Sequence, residues 1–280
     1  MKKIIKLIIN KFAEFFIFLL YKNNFGRYII DQLSKNILLK NKKIKHKDIE
    51  LKFFTPNRLN NYRVNTFSFK EPETLDWIDG FKKNCIFWDI GANIGLYSCY
   101  AAKKKESKVY AFEPSVFNLE LLARNIHLNS LSKNITIFPL PLTDNLKEKS
   151  FEMSSTDWGG ALSTFGENFS HDGKPSNNIF NYKNIGLSVD DCINLLKFEK
   201  PNYIKIDVDG IEHLILKGAL NTLNNVESVL VEVNDNFKEQ INDVSKYLTE
   251  SGFKLEQKKF NESYNIDSPF NKHNNQIWKK

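Results

Sequence analysis

Three features of this 280-residue sequence predict an α/β fold with a doubly wound, mostly parallel sheet. From residue 85 onward, short apolar runs of strand length alternate with segments that carry apolar residues at helical spacing. The first two runs each end near an acidic residue followed by glycine or proline, as strands entering tight turns do. The composition, 41% apolar and 26% charged, is that of a globular chain with a full core.

The strands and helices of this domain follow from the same patterns. Strands are predicted over 85–90, 108–114, 134–140, 202–208, 227–233, 253–257 and 275–280. Helices are predicted over 94–105, 118–129, 189–197, 211–223 and 237–251. The last two strands, joined by a polar loop, are expected to close one edge of the sheet. Ligands of such sheets bind beyond the carboxyl ends of the strands, so functional residues are expected directly after strands.

The first 47 residues differ from the rest in charge. They hold twelve lysines and arginines against two acidic residues, a net charge of +10, whereas residues 48–280 carry −3. Charge confined to one end argues against a nucleic-acid partner. It fits either an anionic phospholipid surface or a solubilising flank. The charged run 41–50 predicts a boundary, which divides the chain into a helical extension, 1–47, and a main domain, 48–280.

An amphipathic helix is predicted at the N-terminus. Lys3, Lys6, Asn10 and Glu14 fall on one stripe of a helix, opposite a wide apolar face. No run approaches the roughly 20 apolar residues of a membrane span, and no cleavage site follows, so neither a spanning helix nor export is expected. The helix over residues 1–24 is expected to pack across the main domain as a cap, with a membrane interface as the alternative.

The cellular compartment is predicted from the cysteines and from the same helix. Three widely spaced cysteines without a C-x-x-C pair suggest neither a disulfide framework nor a zinc site. The expected location is therefore the cytoplasm, with peripheral contact at the inner membrane face left open. The sequence does not predict an oligomeric state.

Residues 150–186 break the alternation of strands and helices. The segment is rich in Gly, Ser and Asn and has no clear period, so it is predicted to be an irregular substrate loop or lid. Its aromatic residues argue against disorder. Trp158 among them is a candidate surface for stacking a sugar ring.

The turn DIGANIG carries the first candidate binding residues. Gly91 and Gly95 follow a strand and open a helix, and their spacing differs from the G-x-G-x-x-G of dinucleotide sites. A ligand without a pyrophosphate is therefore favoured. Asp89 precedes the turn, and Glu113 ends the second strand, where an acid in such folds accepts both ribose hydroxyls. S-adenosylmethionine offers a cation and a ribose, although both carboxylates could instead cap helices.

A second group of candidate residues follows the fourth predicted strand. Asp207, Asp209, Glu212 and His213 lie close together in KIDVDGIEH. Carboxylates crowded there can hold substrate hydroxyls, supply a general base or bind a divalent cation. These residues are compatible with a bound divalent metal ion but do not indicate one. Asp209 and Glu212 could also cap the following helix.

Together these motifs resemble the FkbM family of methyltransferases over about residues 70–280. The likeness rests on FWDIGANIGLYSCYAA, VYAFEP, KIDVDGIE and LKGAL, in the family's order. It implies the Rossmann-like fold of class I methyltransferases, with seven strands and an antiparallel last strand, and S-adenosylmethionine as cofactor. The implied cofactor residues are Asp89, Gly91, Asn93 and Gly95 on the methionine side, Glu113 at the ribose, and Thr143 with Asp144 near the adenine. The family typically has Glu where this chain has Asp209, which leaves that residue's role open.

The resemblance implies O-methylation of a hydroxyl, on a sugar of a surface glycan or on a secondary metabolite. For that reaction we expect Asp207 to act as the general base, with Glu212 and His213 behind it. Asp209 and Trp158 are then expected to bind the small-molecule or glycan acceptor.

Three other functions stay open. A dinucleotide-dependent oxidoreductase shares the alternating fold but needs the missing third glycine. A methyltransferase acting on nucleic acid or another nitrogen nucleophile is disfavoured, because DVDG replaces the Asn/Asp-Pro-Pro-aromatic turn of base-amino methylators. The third is a noncatalytic membrane-surface scaffold in which the N-terminal helix is the functional part.

Overall fold

The computed structural model describes residues 2–175, 178–260, 268 and 270–280. The helices are α1 (Lys2–Tyr21), α2 (Asn24–Leu39), α3 (Arg58–Asn65), α4 (Pro72–Asp79), α5 (Leu96–Lys105), α6 (Val116–Leu128), α7 (Val189–Asn194), α8 (Glu212–Lys217), α9 (Leu220–Leu223) and α10 (Lys238–Glu250). The strands are β1 (Asn41–His46), β2 (Ile49–Phe54), β3 (Ile86–Ile90), β4 (Lys108–Phe112), β5 (Ile135–Phe138), β6 (Lys147–Met153), β7 (Ser163–Phe165), β8 (Phe180–Gly186), β9 (Tyr203–Ile206), β10 (Ser228–Asn234), β11 (Lys254–Phe260) and β12 (His273–Lys279).

Seven strands of the described chain form the central sheet, in the order β11, β12, β10, β9, β3, β4, β5. Strands β10, β9, β3, β4 and β5 pair in parallel, and β12 is antiparallel to both β10 and β11. The predicted doubly wound, mostly parallel sheet with an antiparallel last strand is confirmed. β3 lies between β4 and β9, where the winding reverses, so its carboxyl end borders the crevice in which such sheets bind ligands.

Helices cover both faces of this sheet, with a hydrophobic cluster on each side. Successive residues of β3 point to opposite clusters. Phe87 packs with residues of α4, α5 and α6, and Trp88 packs with residues of α7, α8, α9 and α10. Both side chains are fully buried. Burial on both faces explains why the strand is a continuous apolar run in the sequence.

One predicted helix is divided in two. The segment 211–223 forms α8 and α9, which are separated at Gly218. A Cβ atom at Gly218 would lie 2.4 Å from the carbonyl oxygen of Thr143, so this close approach requires glycine. The polar loop predicted between the last two strands lies partly outside the described residues.

The prediction of an irregular loop over 150–186 is wrong for the parts that form β6, β7 and β8. β6 pairs antiparallel with β7 on one side and with β8 on the other, which forms a small three-stranded sheet. Phe151 and Met153 of β6 are buried and the residue between them is more exposed, which is the two-residue period of a strand. The apolar alternation is too short to be recognised without its partners.

The charged run 41–50 is an antiparallel hairpin rather than an irregular connector. β1 pairs with β2 along its whole length, and Lys47 occupies the turn with a φ of 51°. β2 buries Leu51 and Phe53 in the main core. The predicted boundary after residue 47 thus falls in the hairpin turn, at the point where the chain begins to join that core.

The N-terminal residues form a helical hairpin of α1 and α2. α1 packs mainly against α2, and its side chains from Ile4 to Leu19 are exposed. The expectation that α1 caps the main domain is therefore wrong. No helix among the described residues combines the length and apolar character that crossing a membrane requires.

Candidate active site

Three neighbouring cavities open at the carboxyl ends of β3 and β9. We call them the inner, charged and outer pockets. Gly91, Asn93 and Asp207 line all three. The cavities therefore form one crevice with three compartments, at the position predicted from the fold.

Gly91 forms the floor of this crevice and has a left-handed φ of 84°. A Cβ atom there would lie 1.9 Å from the carbonyl oxygen of Asp207, which belongs to the turn after the neighbouring strand. Gly95 starts α5 with a φ of 83°, and a Cβ atom there would lie 2.5 Å from Leu122 Cδ1. Both glycines of the motif are thus required by backbone conformation and by close packing.

We expect Gly91→Ala to lower the free energy of unfolding by about 3 kcal/mol or more, from left-handed strain plus the steric clash. Gly252→Ala is the matched control, because Gly252 has a φ of 85° and a Cβ atom there would meet nothing within 4 Å. That control should cost about 1 kcal/mol. Chemical denaturation measures both values, and equal losses would show that the contact with Asp207 is unimportant.

Glu113 closes the turn from the next strand. Its two carboxylate oxygens accept hydrogen bonds from the backbone N–H groups of Asn93 and Ser115, each at 2.8 Å. The side chain is buried, and it lines the inner pocket. Burial raises the pKa of Glu113 to about 7, although these two N–H donors oppose the shift. Asn93, with a φ of 50°, also donates from its side chain to the carbonyl oxygen of Gly160 at 2.8 Å.

The rest of the inner pocket is largely apolar. Its apolar lining residues are Ile90, Phe112, Pro114, Leu140, Pro141, Leu142, Phe151, Ala161, Phe165, Val208 and Ile211. Asp144, predicted near an adenine, is not among its lining residues and instead forms ion pairs with Lys147 at 2.7 Å and Lys217 at 3.4 Å. The adjoining Thr143 is buried, and its N–H donates to the carbonyl oxygen of Leu187 at 2.8 Å. Residues 140–142 therefore form the pocket wall just before these two.

The charged pocket combines basic and acidic side chains. Arg63 and Lys70 line it together with Glu71, Lys205 and Asp207. Lys70 Nζ lies 2.6 Å from Glu71 Oε1, and Lys205 Nζ lies 2.6 Å from Asp207 Oδ2. A ligand that carries one positive and one negative group would meet a side chain of opposite charge for each group in this pocket.

Lys205 is the central cation of this group and is 1% exposed. Burial alone would lower the pKa of its ammonium, but the carboxylates of Asp207, Asp89 and Glu71 raise it above the ordinary value. Burial likewise opposes ionisation of Asp207, yet Lys205 holds the pKa of that carboxyl below its usual range. Asp207 is therefore a charged, paired group and a weak proton acceptor.

Asp89 lies behind the turn and does not line the three pockets. Its Oδ2 accepts a hydrogen bond from the hydroxyl of Ser98, and its Cα is paired with that of Lys205 across the sheet. Its Oδ1 has no hydrogen-bond partner among the described residues. Burial raises the pKa of Asp89. From this position in the core, Asp89 can stabilise the charge of Lys205 and bind the side chain of Ser98 in α5.

Asp209 faces both the inner and the outer pocket. It has a left-handed φ of 64°, and its Oδ2 accepts a hydrogen bond from the N–H of Leu162 at 2.7 Å. Burial, followed by the charges of Asp207 and Glu232, raises the pKa of Asp209 to about 7. A carboxylate whose pKa lies near neutral pH is matched to proton transfer from a weakly acidic group.

Glu212 and His213 point away from the three pockets. Glu212 Oε1 accepts hydrogen bonds from the N–H groups of Val208 and Gly210, and Gln240 Nε2 donates to Glu212 Oε2. His213 is buried, packs edge-on against Phe237, and has its pKa lowered by burial. The three carboxylates of this segment therefore do not converge. No group of three or more potential ligand residues in the described ranges could hold a metal ion.

The outer pocket is the largest and has a mixed lining. It includes Tyr62, Arg63, Lys70, Ser154, Ser155, Leu162, Asp209, Glu232, Phe270 and His273. His273 Nδ1 lies 3.3 Å from Glu232 Oε2. Burial alone would lower the pKa of His273, but Glu232 raises it above the ordinary value. Trp158 is half-buried against the core beside α3, and its carbonyl accepts from Asn60 Nδ2 at 2.7 Å. Its side chain does not line these pockets.

Sequence reasoning missed several lining residues. Arg63 and Lys70 lie in and just after α3, upstream of the first predicted strand, and no motif surrounds them. Glu232 lies near the carboxyl end of β10, and a carboxylate within an apolar run was the available signal. His273 begins β12 within a stretch that was predicted to be loop. Lys205 lies in the middle of a strand and points into the protein. A charged residue within an apolar run was the sequence signal that could have identified it.

Comparisons with known proteins identify the family. A family model described as "Methyltransferase FkbM domain" matches residues 89–255, which is more than half of the chain. Hexuronic acid methyltransferase AglP of Haloferax volcanii is 30% identical over 188 residues, covering 63% of this chain and 66% of the relative. Methyltransferase sdnD of Sordaria araneosa is 26% identical over 209 residues, covering 58% of this chain and 73% of the relative.

A solved structure was also matched. Methyltransferase FkbM from Methylobacillus flagellatus KT is 16% identical, with a TM-score of 0.49, covering 71% of this chain and 44% of that chain. This chain thus spans slightly less than two thirds of AglP and less than half of the solved protein.

Proposed function

Because this chain belongs to the FkbM methyltransferase family, we propose that it transfers a methyl group from S-adenosylmethionine to an oxygen of a sugar-containing acceptor. One observation carries the proposal. The buried carboxylate of Glu113 lines the apolar inner pocket and accepts a hydrogen bond from Asn93, which lines both that pocket and the charged one. An apolar compartment followed by a carboxylate and a charged compartment matches a nucleoside joined to an amino acid.

Each part of S-adenosylmethionine has complementary residues in the crevice. The apolar inner pocket suits an adenine, and Glu113 suits the two ribose hydroxyls. In the charged pocket, Arg63 and Lys70 suit the methionine carboxylate, and Glu71 and Asp207 suit its ammonium. When bound, S-adenosylmethionine supplies an electrophilic methyl group on a sulfonium. The protein then has to align an acceptor oxygen with it and exclude competing water.

A dinucleotide cofactor is the weaker fit for this crevice. Dinucleotide sites direct a pyrophosphate at backbone N–H groups of the turn before the first helix. Here the N–H of Asn93 in that turn donates to the carboxylate of Glu113 at 2.8 Å. That N–H group is therefore engaged and is not free for a pyrophosphate, which favours the methyltransferase function over the oxidoreductase.

The acceptor hydroxyl must lose a proton as the new C–O bond forms. We assign that proton to Asp209, because it lies where the inner and outer pockets meet and has a pKa of about 7. Asp207 is less suited, because its ion pair with Lys205 stabilises the ionised form. The proposed base is therefore two residues beyond the one expected from the sequence.

The acidic acceptor that we propose rests on a relative, because Glu71, Asp207, Asp209 and Glu232 outnumber the basic side chains of Arg63 and Lys70 in the outer pocket. Arg63 and Lys70 line it, Arg63 anchored by a hydrogen bond from its Nε to the carbonyl oxygen of Gly159 at 2.9 Å. AglP carries a hexuronic acid in its name, so we propose a uronic acid or another acidic sugar, with one of these two cations meeting its carboxylate and the other the methionine carboxylate.

The cysteines at 85, 99 and 192 are free and buried. Free thiols fit a reducing compartment, so we place the reaction in the cytoplasm.

Methyl transfer from S-adenosylmethionine labelled with tritium in the methyl group tests the proposed function. The acceptors are a glucuronic acid glycoside and the matched glucose glycoside. We expect label in an alkali-stable methyl ether, with about tenfold or greater preference for the acidic sugar, from one charge-assisted hydrogen bond. An alkali-labile ester would identify the carboxylate as the acceptor and remove the need for a base. Absence of label in both sugars would contradict the proposed acceptor class.

A further inference from the structure

The first helix exposes an unusual amount of apolar surface. Its large apolar residues from Ile4 to Leu19 are between 41% and 69% exposed, with Phe12 the most exposed. Soluble monomers rarely expose a contiguous apolar patch of more than a few hundred Å², and such patches mark sites of interaction. Such an exposed surface suits a partner of matching apolar character.

We propose that α1 lies in the plane of an anionic phospholipid surface. The apolar residues Ile8, Phe12 and Phe16 follow one another at a spacing of four, while Lys6, Asn10 and Glu14 follow the same spacing on another side. The apolar side would enter the acyl boundary, and the polar side would stay at the headgroups. The helix does not meet the requirements for crossing a membrane.

Charge favours an anionic lipid surface over a second copy of this chain. Residues 1–47 carry a net charge of +10, and the remaining residues carry −3. Two such segments would repel one another if they paired. Anionic headgroups instead attract each nearby lysine or arginine, and that attraction weakens with salt.

Contacts between α1 and α2, and between the end of α2 and the main domain, would hold the main domain close to the membrane when α1 binds it. A Cβ atom at Gly26 of α2 would lie 2.0 Å from the carbonyl oxygen of Leu20, so the two helices meet there through glycine. Asn23 caps α2 by accepting from the N–H of Gly26 at 2.8 Å. At the other end of α2, the carbonyl oxygen of Lys40 accepts from the N–H of Thr55 at 2.7 Å, next to the main core. The main domain is thereby linked to α1 through ordered backbone.

Vesicle flotation of the full chain tests the proposal. The vesicles are phosphatidylcholine alone, or phosphatidylcholine and phosphatidylglycerol at two to one. We expect binding to the mixed vesicles, weakened by salt, and little binding to the neutral ones. Phe12→Asp should weaken binding by about 30-fold or more, through lost apolar burial and added repulsion. Lys6→Gln should weaken it by roughly fivefold.

Phe69→Asp is the matched control. Phe69 is 68% exposed, against 69% for Phe12, but it lies in the main domain. If the added negative charge alone has little effect, the affinity of Phe69→Asp for vesicles should be within about twofold of that of the parent chain. Unchanged helical circular dichroism of Phe12→Asp confirms that its chain is folded.

Two outcomes would overturn the membrane proposal. In the first, the parent chain does not float with mixed vesicles, or Phe12→Asp floats as well as Phe69→Asp. In the second, light scattering finds an oligomer that Phe12→Asp dissociates while no vesicle binding occurs. That result would assign the apolar face to a second copy of this chain.

Discussion

Asp209→Asn should lower kcat for methyl transfer by about 10²–10⁴-fold, the usual contribution of a general base. The affinity for S-adenosylmethionine should stay within about threefold, because the other contacts that we assign to it remain. Asparagine tolerates the left-handed φ of 64° at this position, and its amide oxygen can still accept from Leu162 N–H. The variant therefore tests the proton acceptor with little change in backbone strain.

The pH dependence of kcat provides a second measure of the same base. The pKa of Asp209 is raised to about 7, so its ionised fraction grows as pH rises towards that value. In the parent chain kcat should rise about tenfold per pH unit below 7 and level off above it. The residual activity of Asp209→Asn should lack this rise.

Asp144→Asn is the control for Asp209→Asn. Asp144 also follows a strand of the central sheet, but it forms ion pairs with Lys147 and Lys217 and does not line the inner pocket. The kcat of Asp144→Asn should match that of the parent chain. If Asp209→Asn kept normal turnover while Asp207→Asn lost it, the base would be Asp207, the residue expected from the sequence.

Lys205→Met should produce the largest loss of stability. The ammonium of Lys205 is buried and paired with Asp207, and Asp89 lies close to it. Removing one partner of a buried ion pair leaves an uncompensated charge and costs about 3–5 kcal/mol. Urea denaturation should therefore show a large fall in the free energy of unfolding.

The double variant Lys205→Met with Asp207→Asn separates charge from packing. It should recover part of the lost stability, because the partner charge is removed as well. Lys200→Met, at an exposed position just before the same strand, should change stability by less than about 0.5 kcal/mol. No loss in Lys205→Met would show that the buried cation does not stabilise the fold.

The central sheet was predictable because its strands are buried on both faces. Such strands are continuous apolar runs, and Asp89 and Glu113 at their ends mark the turns. The small sheet of β6, β7 and β8 was not predictable, because β7 has three residues and the seven-residue β6 and β8 are largely polar with few buried side chains. Its pairing depends on partners that are distant in sequence.

The candidate site was predictable only where a residue belongs to a turn motif. Gly91, Asn93 and Glu113 meet in the crevice, since they follow the adjacent parallel strands β3 and β4. Lys205, in the same motif, makes Asp207 a paired ion, whereas burial and the charges of Asp207 and Glu232 raise the pKa of Asp209 to about 7. The burial and the approach of Glu232 depend on the tertiary fold. Sequence proximity alone therefore could not rank the two as bases.

Calorimetric titration of the purified chain tests most directly whether the crevice binds S-adenosylmethionine. S-adenosylmethionine and its demethylated product should each bind at one site, and NAD should not bind. Glu113→Ala should weaken both by about 10–100-fold, as expected for hydrogen bonds to a charged group. Glu120→Ala, at a half-exposed position on the following helix, should leave both affinities unchanged. Binding of NAD in place of either nucleoside, or no binding of any of the three, would contradict the proposed function.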